Sequence, residues 1–382
     1  MSDKLAEPRV MHILPSLENG GIQKATLDLV AGMPDIDMAI VGINAGGEYQ
    51  EYFEKHCPTF VMAHEDGDPY RRYGWFKPGP VLRLANVIKD FEPDVVQTHT
   101  FGAASLGRAA AKLTGVPVIV DTLHSVYTWK DRSALRIDGI LGKWTDRIVC
   151  VSSTVQRYAI LQNPRIPAGK YEVIPNGVDL ERYHPRNNRE DILARFEVPA
   201  DKFVVGSVSR LVQMKRTRDL VAAAPKILRE DPNTHFLIVG GGPAVVDLTN
   251  QVKELDLQES FTFTGTVTDT ENIYPALDVF VQTSEREGFG LSLAEAMACG
   301  TAIIASNTGA VPELVRPGHN GLLYEVGDIE TLAKGICSLL ADPKKRERFG
   351  MQANRDIETN FNISAVPDKY RELWNRLLSS KR

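Results

Sequence analysis

Short runs dominated by Val and Ile alternate along the chain with longer segments whose apolar residues recur every three or four positions. In the first half the short runs predict strands at 9–14, 38–42, 60–63, 95–98, 118–121, 147–151 and 172–174. Helical spacing predicts helices at 22–31, 81–89, 103–113 and 154–161. The second half repeats the scheme, with strands at 203–208, 235–239, 261–263, 279–282, 302–305 and 322–324 and helices at 217–228, 244–255, 291–298 and 329–340. Strands apolar on both faces, each followed by a helix, belong to a parallel sheet covered on both sides. Because the pattern runs twice, it predicts an α/β protein of two doubly wound units.

The break between the units is expected at 176–195, a polar, turn-rich stretch that reads as a hinge. Two helix-like segments, 343–359 and 365–378, close the chain. In the second, Val366, Tyr370, Leu373, Trp374, Leu377 and Leu378 fall close to helical spacing, so this helix must pack against something.

Composition narrows the class. At roughly 150 residues per domain, 382 residues suit two domains. A content of 43% hydrophobic and 24% charged residues is that of a globular protein and excludes disorder as the main state. The net charge of −5 argues against a surface built throughout for nucleic acid. Cys57, Cys150, Cys299 and Cys337 form no CxxC pair, which argues against a disulfide scaffold or a structural zinc site, and Cys150 and Cys299 sit in apolar runs as small buried hydrophobes. The N-terminus is polar and no run reaches 18 apolar residues, so the expectation is a soluble, cytoplasmic protein.

In open parallel sheets, ligands bind beyond the carboxyl ends of the strands. Four places there carry candidate chemistry. Gly20 and Gly21 follow the first strand and open a helix, where backbone amides can approach an anion, although a plain turn would look the same. Neither GxGxxG nor GxxxxGK[ST] is present. Arg210 and Lys215, five positions apart after strand 203–208, can converge on one diphosphate or simply be solvated. Glu287, Gly288, Phe289, Gly290 and Leu291 lead into a helix that contains Glu295. This loop suits phosphate or sugar oxygens, while the plain alternative is a glutamate favouring the helix dipole and another on the surface. His99 and His124 each stand at a strand end, either as structural hydrogen-bonders or facing a substrate.

Glu287-Gly288-Phe289-Gly290-Leu291 with Glu295 resembles the E-x7-E motif of retaining glycosyltransferases of the GT-B fold, family 4. The resemblance extends along nearly the whole chain: the Gly20-Gly21 loop, VCVSS, Val173 through Asp179, Ser209-Arg210-Leu211 with Lys215, Val239 through Pro243, Ala296 through Gly300, and Gly309 with Pro312-Glu313. It implies two Rossmann-like domains facing a cleft. Residues 1–180 would bind acceptor, residues 181–364 would bind a nucleotide-sugar, and the final helix, 365–382, would cross back onto the first domain. Arg210 and Lys215 would neutralise the diphosphate, Glu295 would bind the ribose and Glu287 the transferred sugar. Amides of 288–291 would face sugar and phosphates, with the backbone of Thr266 and Val267 beside the base. Gly20 and Gly21 would approach the donor phosphate, and His124 matches the family's active-site histidine better than His99, which takes a second-tier place on the acceptor side. Arg216 stands where the family commonly has glycine, a departure that bears on the shape of this loop.

The implied reaction moves a sugar from a UDP- or GDP-linked donor to a glycan, lipid-linked glycan or small-molecule hydroxyl, with retention and without a metal or other cofactor. Two cations with helix-terminal amides can stabilise the leaving group, and no Asp-x-Asp pair follows a strand. An epimerase or phosphorylase of the same fold, or a non-catalytic binder, is the alternative. Basic and aromatic residues mix at 68–89 and 128–147, the composition of a surface that meets anionic lipids or of an ordinary acceptor-side loop.

Overall fold

The computed structural model describes residues 7–62, 78–126 and 132–381. Two compact units emerge, one made of 1–177 with 363–382 and the other of 178–362. The first is built on seven strands, β1 Val10–Leu14, β2 Met38–Gly42, β3 Thr59–Val61, β4 Val95–His99, β5 Val118–Leu123, β6 Arg147–Cys150 and β7 Tyr171–Val173. They pair in parallel in the order β3-β2-β1-β4-β5-β6-β7. The second unit holds β8 Phe203–Val208, β9 Thr234–Val239, β10 Phe261–Gly265, β11 Val279–Gln282, β12 Ala302–Ser306 and β13 Leu322–Tyr324, also parallel, in the order β10-β9-β8-β11-β12-β13.

Both orders reverse direction once, between β1 and β4 and between β8 and β11. At such a reversal the loops leaving the two strands diverge to opposite faces and leave a crevice at the carboxyl edge. Apolar side chains fill both faces of the first sheet. Val10, Leu14, Val118 and Val120 pack to one side, and Met11, Ile13, Val96 and Ile119 to the other. This two-sided burial is why the strands read as unbroken apolar runs. Cys150 and Cys299 are buried, as their apolar neighbours imply.

The last helix, Val366–Ser379, belongs to the first unit. Its apolar stripe places Tyr370, Leu373 and Trp374 in the core with Val10 and Leu14. Trp374 is fully buried and its Nε1 donates to Gln97 Oε1 at 3.0 Å, so the one polar atom of the ring is satisfied. Arg371 to Asp35 and Arg376 to Glu172 tie down the exposed side.

The stretch read as a hinge differs from that reading past Gly177. Residues 178–195 are part of the second unit and include a helix, Arg189–Arg195. Its polarity misleads because the arginines dock. Arg182 reaches Glu271 at 2.9 Å, Arg186 reaches Asn272 Oδ1 at 3.0 Å and Arg189 reaches Asp278 at 2.9 Å, while Tyr183, Ile192 and Leu193 are buried. Long basic side chains lay their stems on the core and pair their heads at its rim.

Candidate functional site

In the second unit the chain leaves β8 at Ser209 and passes Arg210 and Lys215 before entering the helix Thr217–Glu230. The glycine run after β9 shapes this passage. Leu211 N donates to Gly241 O at 2.8 Å and Ala244 N donates to Leu211 O at 3.0 Å. At Gly240 φ is +131°, and a Cβ there would overlap Ser209 O, so only glycine lets the two loops lie backbone to backbone. Arg210 is held in this pairing with its side chain exposed. Arg216 adopts φ +50°, the left-handed conformation that glycine favours. A fork onto Asp219, at 2.7 and 3.1 Å, holds it there, so the loop keeps a glycine-like bend with an arginine in place.

Lys215 is not a free cation. Its Nζ lies 2.5 Å from Glu287 Oε1. The same oxygen accepts from Gln282 Nε2 at 2.6 Å and Ser284 Oγ at 2.6 Å. The loops after β8 and β11 are also stitched by Thr283 Oγ1 donating to Lys215 O at 2.7 Å and Glu285 N donating to Met214 O at 2.8 Å. These are the two loops that flank the β8/β11 reversal. Behind them Gly309, at φ +52°, sits where a Cβ would overlap Glu287 O, and Ala310 N donates to that carbonyl at 3.1 Å. Glu287 is therefore buried, pinned by backbone and side chain alike.

Gly288, Phe289 and Gly290 then turn into the helix Leu291–Ala298, with Gly290 at φ +95°. No side chain caps this helix and no acid occupies its first turn, so its amide end faces the carboxyl edge unopposed. Phe289 is buried against Phe361, whose ring meets it edge-on with centroids 5.5 Å apart. Glu295 lies one turn into the helix and belongs to a different group. Its Oε2 accepts from Tyr274 Oη at 2.8 Å, and both residues are buried. Burial, reinforced by the Glu295 charge, pushes the Tyr274 phenol well above its ordinary value, so it stays a donor. Val267, half-buried, follows β10 on the same edge of the sheet.

In the first unit Gly20 precedes the helix Gly21–Ala31, which also lacks a side-chain cap and a first-turn acid. Ala25 and Thr26 of this helix line a small cavity with His99, His124, Asn176 and Tyr370. His99 and His124 touch: His99 Nδ1 lies 2.8 Å from His124 Nε2. His99 is almost fully buried, and behind it a third ring, His12, stands with its Nδ1 3.1 Å from His99 Nε2. Burial pushes His12 down to about 3 and His124 down to about 4, and His99 well below its ordinary value, with neighbouring rings adding to the last shift.

Among the candidate side chains, hydrogen bonds join Lys215 with Glu287 and His99 with His124, Glu295 pairs instead with Tyr274, and Arg210 bonds to none of them. Sequence reasoning missed Gln282, Ser284, Tyr274 and His12. Ser284 stands three residues before Glu287, a spacing that invites a side-chain hydrogen bond, and His12 interrupts an otherwise apolar strand. Tyr274 and Gln282 gave no such signal. Among the described residues no cluster of three His, Cys, Asp or Glu side chains could hold a metal. No described helix is long and apolar enough to cross a membrane. Of the two basic-aromatic stretches, 68–77 and 128–131 lie outside the described residues.

Two family descriptions match the chain, Glycosyltransferase Family 4 over residues 19–182 and Glycosyl transferases group 1 over residues 188–356. An Escherichia coli UDP-Gal:α-D-GlcNAc-diphosphoundecaprenol α-1,3-galactosyltransferase is 30% identical over 318 residues, 79% of this chain and 80% of its own. A GDP-mannose-dependent α-(1-6)-phosphatidylinositol monomannoside mannosyltransferase of Mycobacterium tuberculosis H37Rv is 31% identical over 294 residues, 72% of this chain and 74% of its own. Among solved structures, Anabaena HepE in complex with UDP and glucose superposes with a TM-score of 0.86 at 23% identity, covering 97% of this chain and 99% of that one.

Proposed function

This chain belongs to glycosyltransferase family 4 and is a GT-B glycosyltransferase, and from that premise we propose how its residues divide the work of transfer. The donor is a UDP- or GDP-linked sugar, the two kinds for which the relatives are named. The second unit takes the diphosphate at the β8/β11 reversal. Arg210, exposed and held by the glycine run, forks onto one phosphate, and Lys215 supplies the nearer point charge. The uncapped amides at Gly290 and Leu291 add fixed partial charge to the same place. Together they stabilise the nucleoside diphosphate as the glycosidic bond breaks, and no metal is needed for that task.

The observation that carries this reading is the hydrogen-bonded cluster of Lys215, Gln282, Ser284 and Glu287. It consumes Glu287 Oε1 and leaves the carboxylate rigid, placed to take the hydroxyls of the transferred sugar through its other oxygen. Glu295, steadied by Tyr274, takes the ribose diol. The first unit supplies the open amide end at Gly20 and Gly21 for an anionic group and His124, with His99 behind it, for a sugar oxygen. Transfer proceeds with retention to the hydroxyl of a glycan or lipid-linked glycan. The first unit binds that acceptor, and basic residues of the helices Pro78–Phe91 and Arg132–Trp144 bring it to an anionic membrane surface.

A thermal-shift screen of UDP-, GDP- and ADP-sugars tests the donor assignment, because a ligand that binds only the native state raises Tm by mass action. One donor should stabilise the wild type, and Glu295→Gln, whose amide oxygen can still accept from Tyr274, should reduce that shift with little change in the Tm of the free protein. No stabilisation by any of the three donors would defeat the reading.

A further inference from the structure

His12, His99 and His124 form a single file from the core of the first unit to the edge of its cavity. Each link in the file needs one proton, and a neutral imidazole has one N–H and one bare nitrogen. Only two arrangements of neutral rings satisfy both links. In the outward one, His12 Nδ1–H donates to His99 Nε2 and His99 Nδ1–H donates to His124 Nε2, which leaves His124 Nδ1–H free at the rim. In the inward one every donor is reversed, which leaves a bare His124 Nδ1 at the rim and an N–H on His12 Nε2 at the inner end.

The inner end decides between them. His12 is fully buried, and its Nε2 has no hydrogen-bond partner among the described residues. It lies on the strand face of Val10 and Leu14 and packs edge-to-face with Trp374, centroids 6.1 Å apart. The nearby polar atoms are engaged elsewhere, Trp374 Nε1 with Gln97 Oε1 and Gln97 Nε2 with Thr122 Oγ1. An orphaned N–H in such surroundings is rarer in proteins than an acceptor left bare.

We infer that the histidine file runs outward, so that His99, backed by His12, is a positioning residue that holds His124 as its Nδ1–H tautomer. His124 then offers the cavity a donor and cannot accept a proton at that atom. It recognises an oxygen of the substrate, a sugar hydroxyl or ether. The consequence for transfer rests on the proposed role of His124, but the tautomer itself does not.

The test is nitrogen NMR of the full chain with ¹⁵N-labelled histidine and no substrate, the rings assigned with single His→Gln variants. Protonated Nδ1 and hydrogen-bonded, bare Nε2 are expected at both His99 and His124, and a protonated Nε2 at His124 overturns the inference. His99→Gln, whose amide can still donate, should keep the His124 tautomer, whereas His99→Leu should release it into both forms. Donor turnover should follow, falling roughly tenfold or more in His99→Leu and much less in His99→Gln. Equal losses in the two variants, or an unchanged His124 spectrum in His99→Leu, overturn it. Should His99→Leu fail to fold, the wild-type spectrum decides alone. Intact turnover in His124→Gln would instead defeat the proposed substrate contact and leave the tautomer assignment standing.

Discussion

Lys215 Nζ and Glu287 Oε1 meet at 2.5 Å, joining the loop after β8 to the loop after β11 across the one reversal of the second sheet. The pair does two things. It cancels the charge of a buried carboxylate, and it holds a cation at the edge where the strands end.

Replacing Lys215 with methionine separates these effects from simple packing. About a quarter of the lysine side chain is exposed, so the pair is partly screened, and Gln282 and Ser284 still donate to Glu287. The stability loss should therefore stay near 1–3 kcal/mol in a denaturant titration. The loss in kcat/KM should be far larger, about 100-fold or more, because a preorganised charge at the leaving group is gone. A variant with near-normal transfer would contradict the role given to Lys215.

Gly240→Ala tests the backbone pairing that holds Arg210. The residue has φ +131°, and the added methyl would overlap Ser209 O. Strain of this kind costs about 1–3 kcal/mol where the surroundings hold it in place. If the loop yields instead, Arg210 shifts, and donor affinity by calorimetry falls more than Tm does.

Trp374 is expected to be the most costly side chain to remove from the final helix. Trp374→Ala should lose about 3–5 kcal/mol in equilibrium unfolding. Trp374→Phe keeps an aromatic ring but leaves a small cavity and strands Gln97 Oε1, and should lose about 1–3 kcal/mol. A loss near zero in the alanine variant would mean that the helix does not dock as described.

The buried histidines make the first unit sensitive to acid, and the sign follows from their lowered values. Above the unfolded-state value near 6.5 neither state binds the proton, and the native state pays nothing. Below it the unfolded chain takes up protons that the native rings refuse. Stability should then fall from pH 6.5 downward, by on the order of 1 kcal/mol per pH unit per histidine, until pH 4 for His124 and pH 3 for His12. Unfolding midpoints measured from pH 8 to pH 4 check this slope, and His12→Phe should flatten it.

Much of the architecture was readable along the chain. Met38–Gly42, Phe203–Val208, Val279–Gln282 and Leu322–Tyr324 coincide with the apolar runs that announced them, and so do the helices Leu291–Ala298 and Ile329–Leu340. All but Leu322–Tyr324, where only Tyr324 is buried, are buried on at least one continuous face, and burial leaves a local mark in composition. Residues 178–195 misled for the opposite reason. Their arginines look solvated until the partners Glu271, Asn272 and Asp278, more than 80 positions away, are seen beside them.

The candidate site divides in the same way. Local spacing was enough to single out Glu287 with Glu295, Arg210 with Lys215, and the strand-end histidines, because loops at the carboxyl ends of parallel strands need glycines and polar groups at fixed offsets. Pairing was not legible. That Lys215 closes on Glu287 and His12 on His99 depends on strand order, since β8 neighbours β11 and β1 neighbours β4 only after the chain has crossed over the sheet, while Tyr274 meets Glu295 where the helix after β11 folds back along its own strand. The sequence alone determined which segments become strands and which residues stand at their ends, through periodicity and burial. The tertiary structure decided which charges and rings share protons, because hydrogen bonds form across space between residues that the chain keeps far apart.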